Sequence, residues 1–291
     1  MTTSTSRWFR QSKLCRNPTG NDYGCGNIIQ FPQPDRAKGS TAEQQGADTI
    51  DVWLANARNF IPPNSFPSET VLSAVERERM KRFHFAKDSL LYCTAHAMKR
   101  ILLSSYEPVC RPRQWRFIEN PYGKPMVRST PSGLPLHFNL SHSWPIVAVA
   151  ISRRYLCGID VECSNDFTVQ HEEMQAVLHP ADRERIAKST EKNRCFLDIW
   201  TQKEAAAKAV GSGLSWDFES FHVCPESGQV HCEPSLHIPV TARSIPTGHK
   251  QLLLAVGWIG NCGDPKLSTP KWLSWPPDSQ HSSNNGINTE Q

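Results

Sequence analysis

The sequence predicts an α+β protein, and three observations carry that prediction. Apolar runs of strand length are bounded by clusters of Gly, Pro, Asn and Ser; two longer stretches keep helical spacing of apolar residues; and the two kinds follow one another as strand, helix, strands, helix, strands. The pattern occurs twice along the chain, with no fixed-period repeat of the solenoid or propeller kind.

Residues 1–48 are rich in Gly, Gln, Asn, Ser and Thr with scattered apolar positions, a composition too polar to offset the chain entropy lost on folding, so a disordered leader is expected there. Within it Arg7, Arg10, Lys13 and Arg16 occur with no acid before residue 17, a transit-peptide-like bias for which a plain polar leader is the alternative. Residues 50–54 form the first strand. After a Pro and Ser stretch at 62–68, Ser68 opens a helix-like run in which Glu76, Arg77, Glu78, Arg79, Lys81 and Arg82 make a charged face. A break near Phe83 precedes a stronger helix over 86–103, where Leu90, Leu91, Thr94, Ala95, Met98, Ile101 and Leu102 keep helical spacing.

Three strands are predicted next, at 114–119, 136–140 and 146–152, separated by turn-rich segments at 120–124 and 129–135. The tight connection 153–155 into a strand at 156–162 predicts an antiparallel hairpin of 146–152 with 156–162. A short helix at 180–187 precedes the strongest helical pattern of the chain, 194–210, with Ala205, Ala206 and Ala207 inside it and Gly211 and Gly213 at its end. Strands at 221–223, 229–232 and 251–259, with a turn at 226–228, close the folded part. Residues 263–291 carry Pro265, Pro270, Pro276 and Pro277 and a polar run at 278–285, so they are expected to be a second tail in which Trp272, Leu273 and Trp275 dock locally. The expected organisation is a leader at 1–48, an N-terminal half at 49–153, a C-terminal half at 154–262 and a tail at 263–291.

Composition removes several functional classes. With 291 residues and 38% hydrophobic content the core is not limited by size, yet the longest apolar runs, 146–151 and 252–256, fall far short of the roughly 20 residues of a membrane helix. The net charge of +4 is too small for a strongly basic nucleic-acid binder. No two of the ten cysteines form a C-x-x-C pair, which argues against zinc, and no apolar signal core lies near the start, so free thiols in a cytoplasmic protein are expected.

Four segments could carry chemistry. In Gly158, Ile159, Asp160, Val161, Glu162, alternation along a strand sets two carboxylates on one face. Such a pair needs a counter-ion, and Mg²⁺ is commonly held by one or two carboxylates together with substrate phosphates; a solvated strand face is the alternative. In the helix, Glu204 and Lys208 are i, i+4 neighbours that would add a third acid and a cation, or else form a surface pair. In Phe138, Asn139, Leu140, Ser141, His142, Ser143 an apolar strand ends in hydroxyls around a histidine; neighbouring strand residues point apart, so phosphate binding suits Ser141 and His142 better than a nucleophile pair. The turn Tyr122, Gly123, Lys124, Pro125 presents a lysine beside a glycine that lets backbone approach a ligand.

Taken in order, YGKP, FNLSHS, GIDVE and WTQKEAAAKAVGSGL resemble the motif series of the 4′-phosphopantetheinyl transferases, specifically the larger Sfp-type enzymes, and Arg82, Phe83, His84, Phe85 with Asp88 and the later Ala95, His96, Ala97 resemble their first-half helix. The resemblance covers about residues 49–260. It implies a pseudo-two-fold monomer of two similar α+β halves with coenzyme A and Mg²⁺ in the cleft between them. It also implies transfer of phosphopantetheine from coenzyme A to a serine of an acyl or peptidyl carrier protein, with release of adenosine 3′,5′-bisphosphate. By motif match, Asp160, Glu162 and Glu204 would hold the metal, Glu204 would be the general base and Lys208 would stabilise pyrophosphate charge. Lys124, Ser141 and His142 would hold coenzyme A. Where the family often has a basic residue after the Asp of the first-half helix, this chain has Ser89, Leu90 and Leu91; Arg79 and Arg82, with Lys81 and Lys87, are the candidates to take the 3′-phosphate instead. That departure alone favours the other reading, a noncatalytic module that binds coenzyme A or a carrier.

Overall fold

A computed structural model describes residues 48–60, 68–164, 178–232, 238–260 and 263–273. The expected leader up to residue 47 and the end of the tail from residue 274 lie outside the described residues. In chain order the elements are β1 (Thr49–Asn56), α1 (Ala57–Phe60), α2 (Ser68–Val71), α3 (Ala74–Lys81), α4 (Ala86–Tyr106), β2 (Phe117–Glu119), β3 (Pro125–Val127), β4 (His137–Ser143), β5 (Ile146–Ser152), β6 (Leu156–Cys163), α5 (Pro180–Lys188), α6 (Lys192–Val210), β7 (Phe221–Val223), β8 (Val230–Cys232), β9 (Val240–Ser244), β10 (Leu252–Ile259), β11 (Lys266–Leu267) and β12 (Lys271–Trp272). This is the predicted α+β class, with the helical run from Ser68 split by a capping box in which Ser73 and Glu76 satisfy each other's backbone amides at the start of α3.

Two sheets lie face to face. One runs β11-β1-β5-β4 with β12 also on β1, the other β6-β10-β9. Strand alternation shows why they stack. On β5, Val147, Val149 and Ile151 join Met98, Leu102 and Leu103 of α4, while Ile146, Ala148 and Ala150 meet Ile159 and Val161 of β6 and Leu254 and Val256 of β10. The layers are therefore α4, first sheet, second sheet, α6, and each sheet carries one long helix on its outer face. Sheets with two apolar faces need cover on both, and this order supplies it.

Two expectations are corrected. Residues 146–152 and 156–162 do not form a hairpin: β5 pairs with β1 and β4, whereas β6 pairs with β10. The tight turn carries the chain from one sheet to the other, and because β5 is buried at every position its pattern suits a facing sheet as well as a ladder partner. The tail does not begin at 263 either. β11 and β12 lie parallel to β1 along its free edge, with Lys266 N–H on Asp48 O at 2.8 Å, Ser268 N–H on Ile50 O at 3.1 Å and Leu273 N–H on Leu54 O at 2.7 Å. An open edge carries backbone groups that need partners, and this strap provides them. Local docking by Trp272 and Leu273 thus takes the form of strand pairing, and Trp275 lies outside the described residues. Among the described residues no helix is long and apolar enough to cross a membrane.

Candidate active site

The site forms at the seam where β4, at the edge of the first sheet, runs beside β6, at the edge of the second. Alternate side chains of β4 reach across: Asn139 Oδ1 accepts from Ile159 N–H at 2.9 Å, Ser141 Oγ donates to Asp160 Oδ1 at 2.7 Å and Ser143 Oγ donates to Glu162 Oε2 at 3.0 Å. The pairs step along both strands in the same direction, so the seam is stitched by side chains where a ladder would use backbone. This is where the alternation in FNLSHS leads.

Helix α6 brings the remaining groups. Gly158 on β6 is the cross-strand partner of Gly257 on β10, and a Cβ at Gly158 would stand 2.1 Å from Ala205 O and one at Gly257 2.5 Å from the same oxygen. With no side chains there, the helix backbone lies flush on the sheet. Glu204 and Lys208 are thereby held over the carboxylate strand: Lys208 Nζ is 2.5 Å from Asp160 Oδ1, 3.1 Å from Ser141 Oγ and 3.8 Å from Glu204 Oε2. Lys203, fully buried on the same helix, donates to Asp182 Oδ2 at 2.5 Å and to the Phe221 carbonyl, tying α6 to α5 and β7.

The electrostatics are unbalanced. Asp160 and Glu204 are buried, and Glu162 adds a third carboxylate beside them, against the single ammonium of Lys208. Loss of hydration and the Asp160 charge push the Glu162 carboxyl up to about 8. Burial does the same to Glu204, up to about 7, with Asp160 adding to it and Lys208 opposing. Burial would lower Lys208, but Asp160 and Glu204 outweigh it and hold the ammonium above its ordinary value. Asp160 Oδ2 and Glu204 Oε1 are buried oxygens without a hydrogen-bond partner. Among the described residues no three His, Cys, Asp or Glu side chains already converge as a metal cage, since Asp160 turns its other oxygen to Lys208 and Ser141. The two orphaned oxygens are nonetheless hard acceptors of the kind Mg²⁺ takes, and that ion needs only one or two protein carboxylates.

The other predicted residues stand apart from this cluster. His142 is exposed on β4, within electrostatic reach of Asp88 and Lys208. Lys124 directs its ammonium to the Cys157 carbonyl at 3.0 Å and the Ala209 carbonyl at 3.1 Å, joining its turn to β6 and to the end of α6; burial lowers it to about 8. Arg79 and Arg82 are exposed and line a groove of about 690 Å³ with Ala74, Val75, Glu78 and Phe83. Sequence reasoning gave Asn139 and Ser143 of the same segment no binding role, although both lie on the strand face of Ser141.

Comparison with known proteins gives the family. Residues 156–251, which hold β6 and α6, match the model of the 4′-phosphopantetheinyl transferase superfamily. The chain is 28% identical over 188 residues to the 4′-phosphopantetheinyl transferase ffp of Bacillus subtilis, covering 63% of this chain and 82% of that protein. It is similarly 28% identical over 189 residues to the 4′-phosphopantetheinyl transferase Sfp of Bacillus subtilis strain 168, with the same coverage of both chains. Against the L-aminoadipate-semialdehyde dehydrogenase-phosphopantetheinyl transferase of Schizosaccharomyces pombe the identity is 30% over 181 residues, 58% of this chain and 67% of that one. The chain belongs to the 4′-phosphopantetheinyl transferases, among the Sfp-type enzymes.

Proposed function

We propose that this transferase takes phosphopantetheine from coenzyme A and places it on a serine of an acyl or peptidyl carrier protein in a Mg²⁺-dependent reaction. The observation that carries the reading is the buried excess of carboxylate around Lys208, with Asp160 Oδ2 and Glu204 Oε1 left unpartnered at the seam. Asp160, Glu162 and Glu204 are the residues that would hold Mg²⁺, which when bound supplies positive charge to the pyrophosphate oxygens. Phosphoryl transfer depends chiefly on positioning and charge stabilisation, and the chain's own residues serve both.

The serine oxygen forms a bond to the phosphorus that bears pantetheine, the bond from that phosphorus to the bridging oxygen breaks, and adenosine 3′,5′-bisphosphate leaves. Glu204 accepts the serine proton, a role suited to a carboxyl whose burial moves it toward neutral pH. Lys208 turns its ammonium toward the leaving pyrophosphate oxygen, and Ser141 and His142 contact the phosphates at the end of β4. Arg79 and Arg82 flank a groove suited to the 3′-phosphate, and Lys124 fixes the turn that borders the nucleotide. With all these groups on one chain, a monomer suffices.

Intact-mass measurement of an apo carrier protein incubated with this protein, coenzyme A and Mg²⁺ tests the reading. A gain of one phosphopantetheine that EDTA abolishes is expected. No gain on acyl or peptidyl carriers would overturn it.

A further inference from the structure

The last turn of a helix leaves carbonyls without intrahelical donors, and at the end of α6, beyond the Gly211 amide that closes the helical ladder, two carbonyls are supplied from elsewhere in the chain. Ala207 O accepts from the Gly211 amide at 2.9 Å, Ala209 O from Lys124, and Gly211 O from the side-chain amide of Asn120 at 2.8 Å. Two of these donors come from the 120–124 turn, some ninety residues earlier in the chain. Asn120 is buried and holds that turn as well: its Oδ1 accepts from the amides of Tyr122 at 3.0 Å and Lys124 at 2.8 Å. The fit leaves no slack, because Gly211 adopts φ +86° and a Cβ there would stand 2.6 Å from Asn120 Nδ2.

We propose that Asn120 is a positioning residue for the transfer reaction, its amide latching the 120–124 turn onto the end of α6 and so fixing where Lys208 and Glu204 stand against Asp160 and Ser141. The proposal rests on the reading that those groups perform the transfer. Lys208 lies next to Ala209, which the same turn grips through Lys124. A slide of the helix by a fraction of its 1.5 Å rise per residue would alter the contacts of Lys208 with Asp160 and Ser141. Misplacement by about 1 Å can cost about 100-fold in rate.

Asn120→Asp tests this directly, since it keeps an oxygen for the two turn amides but replaces the donor to Gly211 O with an acceptor. Asn120→Ser is the milder companion, able to cap the turn yet too short to reach Gly211. Hydrogen exchange of each folded variant, without ligand, is expected to quicken at residues 208–213 and not in α4. With coenzyme A, Mg²⁺ and carrier protein, kcat is expected to fall about 10-fold or more, a larger factor than the rise in KM for coenzyme A, whose nucleotide the same turn borders. A merely structural role would lower melting temperature and leave kcat per folded molecule unchanged, and that result overturns the proposal. Unchanged exchange at 208–213 overturns the latch whether or not the wild type turns over. An inactive wild type overturns the reaction, and the positioning role with it, before any variant is read.

Discussion

Two buried clusters of charged groups in this molecule are built on opposite principles. In the first, the single carboxylate of Glu76 on α3 receives Arg100 Nε at 2.7 Å, His96 Nδ1 at 2.8 Å, Lys99 Nζ at 3.3 Å and the Ser73 amide at 2.9 Å. Burial alone would raise the Glu76 carboxyl, but His96, Lys99, Arg100 and the Ser73 amide together hold it far below the ordinary carboxylate range. In the second, Asp160, Glu162 and Glu204 share one lysine and retain unpartnered oxygens. A buried charge left short of partners is costly unless something outside the fold completes it. The first cluster therefore reads as a joint between α3 and α4, and the second as a place kept for ligands.

The sharpest way to break this contrast is to remove one acid from each cluster. Glu204→Ala and Asp160→Ala are expected to fold, and to lose roughly 100- to 1,000-fold or more in carrier modification measured by mass spectrometry. Glu76→Ala should do the reverse. It strands Arg100 and Lys99 in the interior, so a loss of about 3–5 kcal/mol in urea unfolding is expected, with the rate per folded molecule largely kept. If Glu204→Ala were instead the less stable variant and still active, the two clusters would have been assigned the wrong way round.

The addition of a divalent cation makes a smaller difference. Something that binds the folded state alone stabilises it, by about 2.7 kcal/mol at a hundredfold excess over its dissociation constant. Millimolar Mg²⁺ is therefore expected to raise the melting temperature of the wild type and of Glu76→Gln, and to do little for Asp160→Asn. An equal rise in Asp160→Asn would show that the cation binds elsewhere.

Much of the second cluster was legible in the sequence and almost none of the first. The i, i+2 spacing of Asp160 and Glu162 and the i, i+4 spacing of Glu204 and Lys208 survive any tertiary arrangement, because strand and helix periods alone decide which face each residue takes. Glu76 was read as part of a charged helix face. Its burial depends on α4 packing against α3, and the one local sign was the Ser73 to Glu76 capping-box spacing. The strap of 263–273 was equally hidden, since its partners on β1 lie more than two hundred residues away. Lys124 shows the same limit from the other side. Its motif marks it as a ligand residue, while its ammonium rests on carbonyls of β6 and α6 that no local pattern announces.

Acidity should separate the clusters by sign. A carboxyl whose folded value is raised binds protons in the native state that the unfolded chain has lost, so its contribution is present at low pH and disappears as pH climbs. For Glu162 and Glu204 that window runs from about 4.5 to about 8, and metal-free protein is expected to lose stability as pH rises through it. The value for Glu76 is lowered, so its contribution is full above about 4.5 and is lost as pH falls below that. Urea midpoints from about pH 2 to 8 check both signs. Glu204→Gln should flatten the upper limb and Glu76→Gln the lower one, and exchange of those two effects would refute the assignment.

The smallest expected effect lies on α3 itself. Lys81 Nζ sits 2.9 Å from Glu78 Oε1, nearly the separation of Arg100 from Glu76, yet both side chains stand in solvent, with 67% and 61% of their surface exposed. Water and salt screen such a pair, and holding two long side chains in register costs about what the contact returns. Lys81→Ala is therefore expected to leave the melting temperature within the scatter of replicate scans at both low and high salt. A drop comparable to that of Glu76→Ala would mean that distance, and not burial, sets the strength of an ion pair in this helix. The contrast drawn between the two buried clusters would then lose its physical basis.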